Sequence, residues 1–339
     1  VTEGDAIVIS TRFTNLVGCT VPVQQAGMGS ISPPELVAAV SEAGGLGMLG
    51  TARAGLTPTT LASLLDLVRT LTSRPFGVNF LASPAHLKGL YGRPPLDLEC
   101  VRMSAEAARV VEFFYGDPDP KLVEIVHCGG ALACWQVGSR VEAEAAVEAG
   151  CDLIVSQGVE AGGHVRGRIG TLALLAEVLD VVEVPVLAAG GIGSARAMAA
   201  ALAAGAQGVR VGTRFVAADE AGAHPDYVAA LIAAEAGDTA YTGAFRGGWP
   251  DAPHRVLRSC LEAAETSTTE IVGEGTRLDG TRMPISRFAT AVADRTVTGN
   301  VAALPLWAGE SVAGVKRTQA AAEIVRELAE GAEALLRRW

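Results

Sequence analysis

The chain has few aromatic residues, 5% of 339 positions, and little charge, with Asp, Glu, Lys and Arg making up 19%. It also lacks a basic excess: 27 Lys and Arg against 37 Asp and Glu give a net charge of -10. That balance argues against nucleic acid or an anionic membrane as the main partner. No apolar run reaches the roughly 18 residues of a membrane span, and the opening VTEGDAIVIS has no basic segment followed by an apolar one. A cytoplasmic location is therefore expected. Cys19, Cys100, Cys128, Cys134, Cys151 and Cys260 follow no metal-ligand spacing and lie in apolar surroundings. Reduced core or near-core thiols, and no metal, are the expectation.

What the chain does have is apolar residues, 49%, and 40 glycines placed at the ends of predicted elements. Glycine there takes positive φ and lets another backbone or a ligand come close. The runs LIVSQG, PVLAAGG and GVRVGTRF, between Leu153 and Phe215, are short, β-branched and separated by the helical patterns TLALLAEVLDVV and SARAMAAALAAGA. This is the alternation of a parallel sheet. Earlier turns of the same rhythm are VPVQQA at 21–26, GLGMLG at 45–50, a helix from Pro58 to Leu71 and FGVNFLA at 76–82. A polar, proline-rich stretch that includes Gly92 to Pro95 reads as a loop over the mouth of the sheet. A helix near Leu96 to Ala108, the strand VVEFFYG, the helix KLVEIVHCGG, the strand ALACWQVG and the helix VEAEAAVEAG lead back to Leu153.

The count is eight strands. Eight alternating with helices describe an α/β fold, a closed (β/α)₈ TIM barrel, better than an open doubly wound sheet, and place the ligand at the carboxyl ends of the strands. Residues 1–222 and 315–339 are assigned to the barrel. Residues 223–314 read as an inserted, mainly helical substrate lid, and Thr318 to Arg338 as a surface helix completing the outer ring.

Gly45, Gly47 and Gly50 match GxGxxG by letter, but they follow a helix and form a strand, the reverse of a dinucleotide fingerprint. His127 and Cys128 fall at the end of a helix that points to the base of the barrel, so with Cys134 they make a poor metal site. His86, His224 and His254 lie in loop-like or helix-start positions that suit solvated histidines, with His254 the one a lid could carry inward. His164 differs, because it follows Glu160, Gly162 and Gly163 just past a buried strand, where barrels put their chemistry. A histidine there can move a proton near neutral pH, typically worth about 10² to 10⁴ in rate. Glu160 is either a second polar group in the site or an orienter of its loop.

Gly190, Gly191 and Gly193, with Ser194 as a helix cap, and Arg210, Val211, Gly212 and Thr213 end the last two strands, the usual phosphate position in such barrels. Asn79 lies on the third strand in an otherwise apolar run and Gln157 ends the sixth, and a ligand ring with donors and acceptors would satisfy these amides.

QAGMG at Gln25 to Gly29, GVNF at Gly77 to Phe80, QGVEAGGHVRG at Gln157 to Gly167, AAGGI at Ala188 to Ile192, VGTRF at Val211 to Phe215 and WAGESVAGV at Trp307 to Val315 together resemble the nitronate monooxygenases, formerly 2-nitropropane dioxygenases. These share a flavin-binding barrel with the FMN-dependent enoyl-acyl-carrier-protein reductases. The resemblance implies FMN, with the backbone at Gly27 and Met28 beside the isoalloxazine ring. It places Asn79, Gln157 and Gly162 around the flavin, and Gly191 with Arg210 to Thr213 at its phosphate. It also implies that His164 is the catalytic base or nitro-group ligand, with a nitronate and O2 as small-molecule partners. The alternative it leaves open is an NAD(P)H-dependent enoyl-thioester reductase, in which Arg246, Arg255 and Arg258 would meet the phosphates of a carrier or coenzyme A. A flavin-free barrel binding a phosphorylated metabolite ranks third. A homodimer is compatible with the apolar helix faces, which show no coiled-coil seam.

Overall fold

The computed structural model describes residues 9–82 and 96–338. The mouth loop expected at Gly92 to Pro95, and His86, lie outside them. Nine parallel or short strands lead through the first two thirds of the chain: β1 Val23–Gln25, β2 Gly47–Gly50, β3 Phe76–Leu81, β4 Val110–Phe114, β5 Leu132–Val137, β6 Leu153–Gln157, β7 Gly163–His164, β8 Val186–Ala189 and β9 Gly208–Val211. All but β7 form one parallel sheet in the order β1-β9-β8-β6-β5-β4-β3-β2. A parallel bridge from Gln24 to Leu46, just before β2, closes it into a barrel. These are the eight strands expected.

Local signals set the elements. Thr57 and Thr60 form a reciprocal capping box on the helix Pro58–Leu71, Ser139 caps Arg140–Glu148, and Ser194 caps Ala195–Ala203 by accepting from the Ala197 amide. Each satisfies an amide that the first helical turn leaves without a carbonyl. The C-terminal helix Ala321–Leu336 packs against Ala195–Ala203 and Pro34–Glu42, filling the outer ring between them.

Side chains alternate along the strands. Val111 and Phe113 of β4 join the layer between sheet and helices, whereas Val110 joins Leu46, Met48, Leu153, Val155 and Leu187 in a second, interior cluster. The short helix Arg12–Val17 plugs the base of that cluster with Phe13, which is fully buried. Gly208 and Gly77 make room inside: a Cβ on the first would come 3.1 Å from Phe13, and on the second 2.4 Å from the Met48 sulfur.

After β9 the architecture departs from expectation. The stretch read as mainly helical holds the helices Pro225–Ala233 and Arg258–Thr266 but also five strands: β10 Thr239–Thr242, β11 His254–Leu257, β12 Ile271–Thr276, β13 Arg282–Ser286 and β14 Thr298–Gly299. They make two small antiparallel sheets, β10-β11-β7 and β13-β12-β14. One signal for the second sheet was available in the sequence, since Asp279-Gly280 sits between IVGEGT and RMPIS and Gly280 takes φ +83, as a tight hairpin needs. Of the six cysteines, five are buried and Cys128 is exposed, against the expectation of core burial. No helix among the described residues is long and apolar enough to cross a membrane.

Candidate active site

The carboxyl ends of the barrel strands open into one cavity. Gly27, Met28, Asn79, Gln157, Gly162, Gly163, His164, Gly190, Gly191, Arg210, Gly212 and Thr213 all line it. Val211 does not: it is fully buried in the layer beneath the helices and contributes its carbonyl to the Ala26 amide at 2.9 Å.

Beneath the cavity lies a polar layer organised by Glu112, a residue overlooked in the sequence although a carboxylate within VVEFF is itself a signal. Its side chain is 0% exposed, so its oxygens need partners within the barrel. Oε1 accepts from Asn79 Nδ2 at 2.7 Å and pairs with the Arg210 guanidinium at 2.5 Å. Oε2 accepts from Gln24 Nε2 at 3.2 Å. The Asn79 amide is thereby fixed with its nitrogen toward Glu112. The Arg210 guanidinium, expected at a phosphate, is directed to Glu112 in the barrel interior.

The glycine loops fit close approaches. A Cβ on Gly27 would lie 2.5 Å from the Asn79 Cβ, and one on Gly162 2.4 Å from the Gly309 nitrogen. Gly190 and Gly191 take φ +106 and +67, conformations that cost a residue with a Cβ about 1–2 kcal/mol. Thr213 Oγ1 accepts from the Gly309 amide at 3.0 Å, tying the segment after Trp307 to the end of β9. Both carboxylate oxygens of Glu160 accept from Thr171, at 2.9 and 3.0 Å from its amide and 2.8 Å from its hydroxyl. Glu160 is thus the orienter of its loop.

His164 lies on β7, which pairs antiparallel with β11 so that His164 faces His254 and Gly163 faces Arg255. The histidine is held between the barrel and the segment after β9. Gln157 Nε2 donates to its carbonyl at 3.1 Å, while Gln157 Oε1 is buried with no protein partner. Around the imidazole stand rings drawn from the whole chain: Trp249 stacked at 4.1 Å between centroids, Trp307 at 5.1 Å, His254 at 5.5 Å and Tyr115 at 6.0 Å. Trp307 opens the WAGESVAGV motif, whereas Trp249 and Tyr115 carry no signal of their own, and the three lie far apart in the chain.

The other histidines separate clearly. His254, the one of the loop-like histidines that a lid could carry inward, is buried on β11; Nδ1 lies 2.9 Å from the Ala252 carbonyl and Nε2 accepts from the Phe245 amide. Burial lowers its pKa, partly offset by the Ala252 bond. His224 caps the helix Pro225–Ala233. His127 is exposed and bonds Asp152 at 2.9 Å. Among the described residues no group of three or more His, Cys, Asp or Glu is placed to hold a metal. Of the lid arginines, Arg255 bonds the Val159 carbonyl, Thr239 and Glu310, Arg258 bonds the Thr239 carbonyl, and Arg246 is exposed.

Comparison with known proteins agrees with this architecture. The chain is 33% identical to a nitronate monooxygenase of Pseudomonas aeruginosa, over 95% of this chain and 99% of that protein. It is 37% identical to (3aS,4S,5R,7aS)-5-hydroxy-7a-methyl-1-oxo-octahydro-1H-indene-4-carboxyl-CoA dehydrogenase of Rhodococcus jostii, over 75% of this chain and 67% of that one. Among solved structures, FabK from Thermotoga maritima superposes with a TM-score of 0.76 at 29% identity, covering 98% of each chain. A nitroalkane oxidase from Streptomyces ansochromogenes gives 0.74 at 30% identity, over 96% of this chain and 99% of that one. The family model for nitronate monooxygenase matches residues 10–331, and the chain belongs to that family of oxidoreductases.

Proposed function

We propose that this chain binds FMN in the barrel mouth and oxidises short alkyl nitronates with dioxygen, with His164 as base and nitro-group ligand. The observation that carries the reading is the placement of His164 over a single cavity whose floor presents fixed amides. The cavity fits a flavin at Gln157, whose Oε1 is a buried acceptor with no protein donor, which a ring N–H would satisfy. Gly27 and Gly162 let the cavity wall close up, Gly27 against Asn79 and Gly162 against Gly309. Gly27, Met28, Asn79, Gln157 and Gly162 would hold the ring, and Gly190, Gly191, Gly212 and Thr213 the phosphate end. Bound there, FMN supplies the electron relay between substrate and dioxygen.

The chain's own residues do the rest. Neutral imidazole at His164 takes the α-proton of a nitroalkane and leaves the nitronate anion beside the imidazolium; when the nitronate itself arrives, the ring hydrogen-bonds its oxygens. Gln157 holds the His164 backbone. The rings of Trp249, Trp307 and Tyr115 exclude water, which strengthens that polar contact. Residues 223–314 act as the lid, with β11 locking β7 in place.

The thioester reading has one specific support, the similarity to the carboxyl-CoA dehydrogenase. That match spans 75% of this chain, whereas the nitronate monooxygenase match spans 95%. Arg255 is buried and bonded to the Val159 carbonyl, whereas Arg246 and Arg258 are exposed, Arg258 with one bond to the Thr239 carbonyl, so two of the three arginines could meet a carrier phosphate. The test is oxygen uptake by the FMN-loaded protein with propionate 3-nitronate and no nicotinamide. Uptake that depends on the nitronate is expected. Its absence, with enoyl-thioester-dependent oxidation of NADH or NADPH in its place, would overturn the assignment, and a protein that stays colourless after FMN reconstitution would favour a flavin-free barrel.

A further inference from the structure

We infer that Trp249 sets the substrate range of this site, admitting short, flat anions and shutting out long alkyl and acyl chains; the inference rests on the nitronate reading above. The indole is 4% exposed although its segment is a loop. Its centroid is 4.1 Å from that of the His164 imidazole, with 29° between the planes. Carbon atoms touch at about 3.5–4.0 Å, so no substrate layer fits between the two rings. A ligand reaches the imidazole at its edge, or not until the indole has moved.

The surrounding backbone is shaped to hold the indole there. The Gly247 amide donates to the Phe288 carbonyl at 2.8 Å, and its own carbonyl accepts from Thr290 at 2.9 and 3.0 Å. On the far side, the Pro253 carbonyl accepts from the Val165 amide at 2.9 Å, one residue past His164. Between these anchors Gly248 takes φ +90. Among the described residues, the non-glycine residues with left-handed backbone are Tyr115 (φ +67), Asp251 (φ +58) and Phe288 (φ +61). All three belong to this assembly: Tyr115 meets the indole edge-on at 4.8 Å, Asp251 follows it by two positions, and Phe288 holds the Gly247 anchor. Strained backbone persists where the surroundings over-determine it, and it concentrates at ligand clamps. Three strained residues around one indole mark that indole as the working part of the loop.

The chemistry follows from shape. A short nitronate brings its two oxygens to the imidazole edge and keeps its alkyl group within the aromatic wall. Each further methylene presses on the indole, and one misfit methylene in an apolar pocket changes kcat/KM by roughly 10–200-fold. The test compares FMN-loaded wild type, Trp249→Ala and Trp249→Phe on straight-chain nitronates from ethyl to octyl. The expected result is a steep fall with chain length in wild type, carried by KM, which Trp249→Ala flattens by at least about tenfold at octyl and Trp249→Phe flattens less. A parallel titration uses carboxylates from acetate to octanoate, flat anions that need no turnover, read by the shift of the flavin's visible bands. If no nitronate is oxidised but Trp249→Ala still flattens the carboxylate chain-length profile, the nitronate reading fails and the size gate stands. Chain-length profiles that coincide in wild type and both variants, in the titration as in turnover, overturn the gate.

Discussion

The lower and upper halves of the barrel interior are lined by the same strands, yet they are filled in opposite ways. Toward the amino ends Leu46, Met48, Val110, Leu153 and Leu187 pack as a dry cluster against Phe13. Toward the carboxyl ends, Gln24, Asn79, Glu112 and Arg210 form a bonded polar layer, and Gln157 stands above it at the end of β6. Moving two residues along β4, from Val110 to Glu112, crosses from one regime to the other. The apolar rung stabilises the barrel with no demand on geometry beyond filling space. The polar rung buries a charge pair, a weak source of net stability, and in return it fixes the amide that faces the cavity. Stability and site are kept on separate rungs of one scaffold.

Substitutions can sharpen or break that comparison. The largest effect is expected at the mouth: His164→Asn should lower kcat/KM by about 10² to 10⁴ while the flavin spectrum and melting temperature stay near wild type. A loss under tenfold in steady-state oxygen uptake would remove His164 from the proton chemistry. Next is Glu112→Ala, which leaves the Arg210 charge buried without its partner and should cost about 3–5 kcal/mol in urea unfolding. Adding Arg210→Met to that variant should recover part of the loss. If the double variant is no better than the single one, the pair is not the organiser of the layer.

In the lower half, Met48→Ala should cost about 2–5 kcal/mol, because Gly77 beside it has no side chain with which to close the cavity. Its kcat/KM should remain close to that of wild type, whereas Glu112→Ala should lower it. Equal losses of activity in the two variants would erase the distinction between the halves.

The smallest effect concerns His254. Its folded pKa is lowered by burial, so the unfolded chain takes up its proton first as pH falls, and the stability its neutral form contributes is present above about 6.5. That contribution should shrink from there down to the folded pKa. Melting temperatures between pH 7.5 and 5.5 should therefore fall more steeply for wild type than for His254→Asn, and parallel curves would show that the ring does not titrate with the fold.

How much of this was legible in the sequence divides along similar lines. The eight strands, the glycine loops and the position of His164 rest on local patterns: short apolar runs, caps, and glycines at element ends. Asn79 and Gln157 stood out because an amide in an apolar run needs a partner. What stayed hidden depends on contacts between distant segments. Nothing near Arg210 announces that Glu112 will claim its guanidinium, and nothing near His164 announces Trp249, Trp307 or Tyr115. The lid was misread as mainly helical because strands of four residues such as β10 and β11 carry too little periodicity to register, and β11 is defined by its pairing with a two-residue strand from the barrel. The resemblance to nitronate monooxygenases covered the barrel motifs well and left FRGGWPDAPHRVLRS, from Phe245 to Ser259 and carrying Trp249, without a counterpart.

The most direct test of the central claim is an anaerobic stopped-flow experiment on the FMN-loaded protein, mixing it with propionate 3-nitronate in one run and with NADH or NADPH in another. Flavin bleaching by the nitronate alone, lost in His164→Asn, is the predicted result. Bleaching by the nicotinamide and none by the nitronate would contradict it and assign the site to thioester reduction.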